Sequence, residues 1–137
     1  MSDTRYKKVT DPSQMSMTFA EIFNNGRDLD AWISLYEPDA ILYFGGPDPV
    51  VGHEAIRKAL TQLVEMPGKI ETRINFCAVN GDIAVVRGDC IGRHEGEITF
   101  AASSVEVVRR QADGSWLYMI DHAAGASLPS AWETPSA

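Results

Sequence analysis

Asp121 and His122 stand side by side near the end of an apolar run, WLYMIDHAA, and are the residues best suited by type to move a proton. A histidine titrates near neutral pH without help, and an adjacent acid is at hand. Neighbours on a strand point to opposite faces, so both enter one site only where a bulge intervenes. Without one, His122 shares a face with Trp116, Tyr118 and Ile120, in a subunit interface or under the C-terminal segment. The other histidines read differently: His53 follows Gly52 as an exposed helix-cap residue, and His94 sits at a hairpin tip beside Glu95 and Glu97. No His-x-His or His-x3-His spacing puts two imidazoles on one face, so no metal is expected. Tyr36 and Tyr43 could orient a ligand carbonyl through their hydroxyls, or finish a core with the hydroxyl on a backbone partner. Arg73 could meet a substrate carboxylate or face outward.

Other motifs are absent: there is no Gly-rich phosphate loop, no cysteine pair at zinc spacing and no Gly-x-Ser-x-Gly. No cofactor is expected. Twelve Lys and Arg against nineteen Asp and Glu leave a formal charge of -7, a field that repels nucleic acid and anionic membrane surfaces. The first ten residues hold no apolar leader, and no window approaches eighteen continuous apolar residues. The reading is a soluble, cytoplasmic protein. Cys77 and Cys90 lie in apolar strand patterns and read as reduced, buried thiols.

The 137 residues suffice for one domain with its own core. Residues 1–10 read as a flexible tail, 11–126 as the domain and 127–137 as a loose end. Asp11-Pro12-Ser13-Gln14 starts a helix whose stripe is Met15, Phe19, Ile22 and Phe23, and Asn24-Asn25-Gly26 stops it. Leu29, Trp32, Ile33 and Tyr36 repeat at helical spacing behind an Asp28 cap, with Pro38 as the stop. A strand over 39–44, a turn over 45–49 and a third helix with Ile56, Ala59, Leu60 and Leu63 follow. From Lys69 the period changes to two: Ile70, Thr72, Ile74 and Phe76 alternate with polar residues. Turn signals at 80–82, 94–97 and 112–114 then separate runs over 83–93, 98–110 and 116–124. Three helices followed by a meander predict an α+β fold, a curved antiparallel sheet wrapped around three N-terminal helices. Strands apolar on both faces predict that a second copy covers the outer face, giving a homodimer through the sheet.

The acidic-Leu-Asp-Ala-Trp helix after Asn25-Gly26, Tyr-x-x-Asp-Ala at 36–40, Gly-x-x-Ala-Ile-Arg at 52–57 and the Gly-x-Trp strand ending in Asp121-His122 resemble the nuclear transport factor 2-like superfamily. The SnoaL-like and ketosteroid-isomerase-like branch is most similar, over roughly residues 12–125. The resemblance implies a cone whose mouth accepts small molecules. Strands registered on it would turn Val85, Arg87, Asp89 and Ile91 inward, then Ala102, Ser104 and Glu106, then Met119, Asp121 and Ala123. A slip of one residue would invert each set. Phe19, Trp32, Tyr36, Tyr43 and Phe44 would border the same pocket. Three carboxylates and one guanidinium among apolar walls could tune an acid or base toward neutrality, or Arg87 could simply neutralise Asp89 or Asp121.

In the isomerases the position of Glu106 carries a protonated acid that bonds the substrate oxyanion. Their general base would fall at Phe44 and their oxyanion tyrosine at Phe19, and neither phenyl ring can do that work. Authentic ketosteroid isomerisation is therefore not expected. The resemblance implies a cofactor-free proton-transfer enzyme acting on a small carbonyl compound, with Asp121 or His122 as base and Glu106 and Arg87 stabilising the oxyanion. A non-catalytic ligand-binding domain and a dimerisation module are the alternatives, because one fold hosts many functions.

Overall fold

The structure, a computed structural model, describes residues 8–132. Residues 1–7 of the expected N-terminal tail and 133–137 of the C-terminal one lie outside the described residues. Residues 8–10 are tied down: Val9 is buried, its carbonyl accepts from the Trp116 N–H at 2.8 Å, and Lys8 pairs with Asp113. Asp11 accepts from the Ser13 N–H and opens a 3-10 turn over Pro12–Gln14, where proline's missing donor is no loss. This leads into α1, Met15–Asn24, which buries Met15, Ala20, Ile22 and Phe23. Gly26 and Arg27, both with positive φ, end it.

The Asp28 side chain caps α2, Leu29–Ile33, by accepting from the N–H groups of Asp30 and Ala31. This helix is shorter than its spacing predicts. Tyr36 does not extend the helical stripe but opens β1, Tyr36–Tyr43, so Pro38 lies inside a strand. The register of β1 slips between Tyr36 and Ile41, and an irregular stretch of that kind accommodates a residue with no N–H to donate. A loop leads to the two-residue strand β2, Val50–Val51, too short to leave a periodic signal. Then α3, His53–Val64, buries Ile56, Leu60 and Leu63.

The remaining strands are β3, Lys69–Asn80; β4, Ile83–His94; β5, Glu97–Ser103; β6, Val105–Arg110; and β7, Trp116–His122. The expected long strand over 98–110 is interrupted at Ser104, whose hydroxyl rather than a backbone carbonyl accepts from the Gly88 N–H at 3.2 Å. The seven-stranded sheet runs β2-β1-β7-β6-β4-β3, with β5 also paired to β4. All pairings are antiparallel except β1 with β7. Helices on one face of this curved, unclosed sheet complete the expected α+β cone. Trp32, Tyr36, Phe23, Leu42, Val86, Val108 and Tyr118 are among the buried side chains joining sheet to helices.

Two bulges decide which side chains face the helices. Between its pairs Tyr118–Val108 and Ile120–Val107, β7 carries one residue too many, Met119. On β3 the extra residue is Asn75, between Ile74–Gly88 and Phe76–Arg87. Each inserts one step into a period of two, so side chains beyond it change faces. Phe76, expected on the same face as Ile70 and Thr72, is turned outward and 46% exposed.

Candidate active site

An apolar cavity of about 330 Å³ lies between the helices and the inner face of the sheet. Phe19 and Phe23 from α1, Leu60 and Leu63 from α3, and Phe44 and Phe100 are among the apolar side chains of its wall. Polar groups gather where β6 and β7 meet. Glu106 and Asp121 are direct partners across these strands, so their carboxyl groups share the inner face. Both are buried, Glu106 5% and Asp121 6% exposed. The Tyr36 hydroxyl donates to Asp121 Oδ2 at 2.6 Å. The Ser16 hydroxyl lies 3.5 Å from Glu106 Oε1, at the limit of a hydrogen bond.

Burial and then the charge of Asp121 push the Glu106 pKa up to about 8, against the pull of the Ser104 and Ser16 hydroxyls. Burial raises Asp121 to about 6, with the Tyr36 hydroxyl pulling the other way. Two carboxyls this close titrate as a unit and hold one proton between them near neutrality. The donation from Tyr36 marks Asp121 as the ionised partner. The site thus holds a neutral acid and a carboxylate base side by side in an apolar chamber.

Of the residues expected at the pocket, Phe19, Tyr36, Phe44, Ala102, Ser104, Glu106, Asp121 and Ala123 line this cavity. The inward set of β4 is inverted: Gly88 and Cys90 line the cavity, while Val85, Arg87, Asp89 and Ile91 do not. Close packing explains the choice. A Cβ on Gly88 would stand 2.7 Å from Ser16 Oγ, and one on Gly92 would stand 2.3 Å from the Phe100 ring. The alternate set, with Arg87, Asp89 and Ile91, must therefore point out. Arg87 is bonded to Asp89 at 3.3 Å, the neutralising pair that is one of the two expected readings, and both lie away from the cavity. Hydrogen bonds from Ser103 and Asn75, with Arg87 nearby, hold Asp89 below the usual carboxylate range. Asp89 and Ile91 instead border a shallow groove of about 520 Å³ with Arg73, Arg93 and Glu71. Two of its charges, Arg93 and Glu71, already pair at 3.0 Å, and Asp89 is held by Arg87, so this groove lacks the buried, uncompensated carboxyl pair of the cavity.

Met119 is the unpaired residue of the β7 bulge and does not line the cavity. His122 lies opposite Val105 and Tyr43, on the face away from Asp121, with its ring stacked on Tyr43 at 4.8 Å and 6°. Neither His122 nor Tyr43 lines the cavity, and the bulge separates His122 from the buried Trp116 and Tyr118 expected on its face. Trp32 is fully buried behind the wall, stacked on Phe19 at 5.2 Å with its indole N–H donating to the Phe19 carbonyl. His53 is half-buried rather than exposed, with Nε2 2.8 Å from the Tyr36 carbonyl. His94 is exposed at its hairpin tip, as expected.

Among the cavity residues that sequence reasoning missed are Ser16, Thr72, Gly88, Cys90, Phe100 and Tyr118. The small residues Ala84, Gly88 and Gly92, spaced by four on β4, were the available signal for close packing. Both cysteines are free thiols, and burial pushes Cys90 up to about 11. Among the described residues, no group of three or more His, Cys, Asp or Glu side chains could hold a metal ion. Among them, too, no helix is long and apolar enough to cross a membrane.

No curated protein matches the chain. Among solved structures, a ketosteroid isomerase-like protein from Erwinia carotovora atroseptica is similar at 23% identity and a TM-score of 0.66, over 79% of this chain and 88% of that one. A domain of unknown function with a cystatin-like fold, from Nostoc punctiforme, is similar at 13% identity and a TM-score of 0.69, over 81% of this chain and 72% of that one. At these identities the likeness is one of fold. The SnoaL-like domain model matches residues 18–119, a span that carries α2, α3, the Glu106 strand and most of β7, and the chain therefore belongs to the SnoaL-like family within the nuclear transport factor 2-like superfamily.

Proposed function

We propose that the protein is a cofactor-free proton-transfer enzyme acting on a small, neutral carbonyl compound. One observation carries this reading: Glu106 and Asp121 are paired across β6 and β7 at the wall of an apolar cavity. In the proposed step the Asp121 carboxylate takes a proton from the carbon beside the carbonyl. The C–H electron pair moves into an enolate, and the Glu106 carboxyl hydrogen-bonds the oxygen as its charge grows. Where the enolate is conjugated with a neighbouring carbon–carbon double bond, return of the proton to the far carbon completes an isomerisation; where the β carbon bears a leaving group, its departure with the bonding electron pair as the carbon–carbon double bond forms completes an elimination. His122 and Arg87 have no part, because neither reaches the cavity. A carboxylate or phosphate ligand would bring a further charge into a chamber whose lining includes no Lys, Arg or His.

The test is exchange of the α-hydrogens of 1-tetralone, a neutral enolisable ketone, in D2O at pH 7, followed by proton NMR. Protein-dependent exchange that Asp121→Asn abolishes is the expected result. Saturable binding without exchange would refute catalysis and favour a ligand-binding domain.

The outer face supports a homodimer as the second part of the proposal. Ala78, Val85, Val107, Ile120 and Ile41 form one cross-strand row over five strands, with Val85 37% and Ile120 36% exposed. A row this broad and uncharged fits the same row of a second copy turned by a two-fold axis. Light scattering coupled to gel filtration should give twice the chain mass for the wild type and one chain mass for Ile120→Glu. A wild-type monomer at micromolar concentration would reject the pairing.

A further inference from the structure

Tyr118 is the buried polar residue of the cavity that the mechanism above leaves without work. It lines the chamber, is 1% exposed, and packs its ring on Tyr36 with centroids 4.8 Å apart. The two tyrosines differ in what their hydroxyls do. Tyr36 donates to Asp121, whereas the Tyr118 hydroxyl has no hydrogen-bond partner among the described residues. Nor is its oxygen among the wholly enclosed atoms that lack a partner, as Thr72 Oγ1 in the same wall is. A buried phenol left uncommitted beside open space is a donor awaiting an acceptor.

We infer that Tyr118 is a catalytic residue that donates a hydrogen bond to the substrate's carbonyl oxygen, supplying with Glu106 the two donors of an oxyanion site. The inference rests on the proton-transfer reading above and adds to it a residue on β7. Phe19 lines the same cavity without a hydroxyl, and the Tyr36 hydroxyl is already committed to Asp121, which leaves Tyr118 as the phenol free to meet a ligand. The β7 bulge makes it available, because Tyr118 and Asp121, three residues apart, both face inward. Burial, followed by the charges of Glu106 and Asp121, raises the Tyr118 pKa well above its ordinary value. The phenol stays protonated and able to donate throughout the pH range of the proposed reaction. As an enolate forms, the bond to Tyr118 strengthens, which is the condition for a donor to lower the barrier rather than merely bind.

The experiment uses full-length wild type and Tyr118→Phe, a change that removes the hydroxyl and keeps the ring stacked on Tyr36. Two readouts are taken with 1-tetralone labelled with carbon-13 at the carbonyl: the chemical shift of the bound carbonyl and the rate of α-hydrogen exchange. Donation predicts that the bound carbonyl lies downfield in the wild type and moves back in Tyr118→Phe. The exchange rate should fall about 10²–10³-fold, as for loss of one oxyanion donor. Unchanged shift and unchanged rate in a folded Tyr118→Phe protein would overturn the role of Tyr118 and leave the proton-transfer reading intact. Binding without exchange in the wild type would overturn that reading, and the shift would still decide whether Tyr118 donates. No binding of the ketone would overturn both. Should Tyr118→Phe fail to fold, carbon-13 at the tyrosine ζ position of the wild type reads the same bond. A Tyr118 signal that moves on adding ketone supports donation, and one that stays refutes it.

Discussion

Asp121 and Asp89 are the same residue on opposite faces of one sheet, and they behave in opposite ways. Asp121 faces the cavity, loses its water, and is raised to about 6 with one phenol hydroxyl as partner. Asp89 faces solvent, collects hydrogen bonds from Ser103 and Asn75 beside the Arg87 guanidinium, and is lowered. Desolvation governs the first and hydrogen bonding the second. A carboxylate in this fold is therefore an acid–base candidate only by virtue of the face it occupies.

The sharpest test of that contrast replaces each aspartate by asparagine. Asp121→Asn should reduce ketone exchange about 10²-fold or more, the usual contribution of a general base, while Asp89→Asn leaves it unchanged. Equal losses in the two variants would break the comparison. A smaller effect probes the packing that sends Arg87, Asp89 and Ile91 of β4 outward. Gly88→Ala drives a Cβ toward Ser16 Oγ and should cost about 1–3 kcal/mol in urea unfolding, the range for overfilling a tight interior. The smallest effect is on the pH profile. Glu106 and Asp121 have folded pKa values above their unfolded ones, so the native state holds the extra protons. Stability from this pair is complete below about pH 4 and is lost as pH rises through 6 and 8. Glu106→Gln removes the larger share of that slope. Its melting temperature should exceed that of the wild type at pH 8.5 and converge on it toward pH 5, as read by circular dichroism. An undiminished slope in the variant would show that Glu106 titrates normally.

The architecture could be read from the chain because its signals are local. Asp11 and Asp28 cap helices, Gly26 stops one, and turn residues mark the strand ends, each acting over a few residues. The inward set from Ala102 to Glu106 was also legible, since alternation across Ser104 is unbroken. On β4 the alternation was legible and its sense was not. Val85, Arg87 and Ile91 have more bulk than Gly88 and Cys90, and bulk suggests burial until Ser16 and Phe100 are known to press against that strand. On β7 the obstacle was Met119. Nothing in WLYMIDH announces an extra residue, because a bulge depends on what the partner strand offers. Tyr118 was consequently assigned to the wrong face, and His122 drew interest that its position does not support.

Seen as a matter of phase, the Met119 bulge separates what this chain contains from what it displays. A strand running straight on from Tyr118 would bring His122 inside and leave Asp121 outside, with every residue unchanged. A relative of identical composition in this segment but lacking the irregularity would offer its ligand an imidazole instead of a carboxylate. Position-by-position alignment would report the two as equivalent, so inherited function in such cones follows strand parity as well as residue identity.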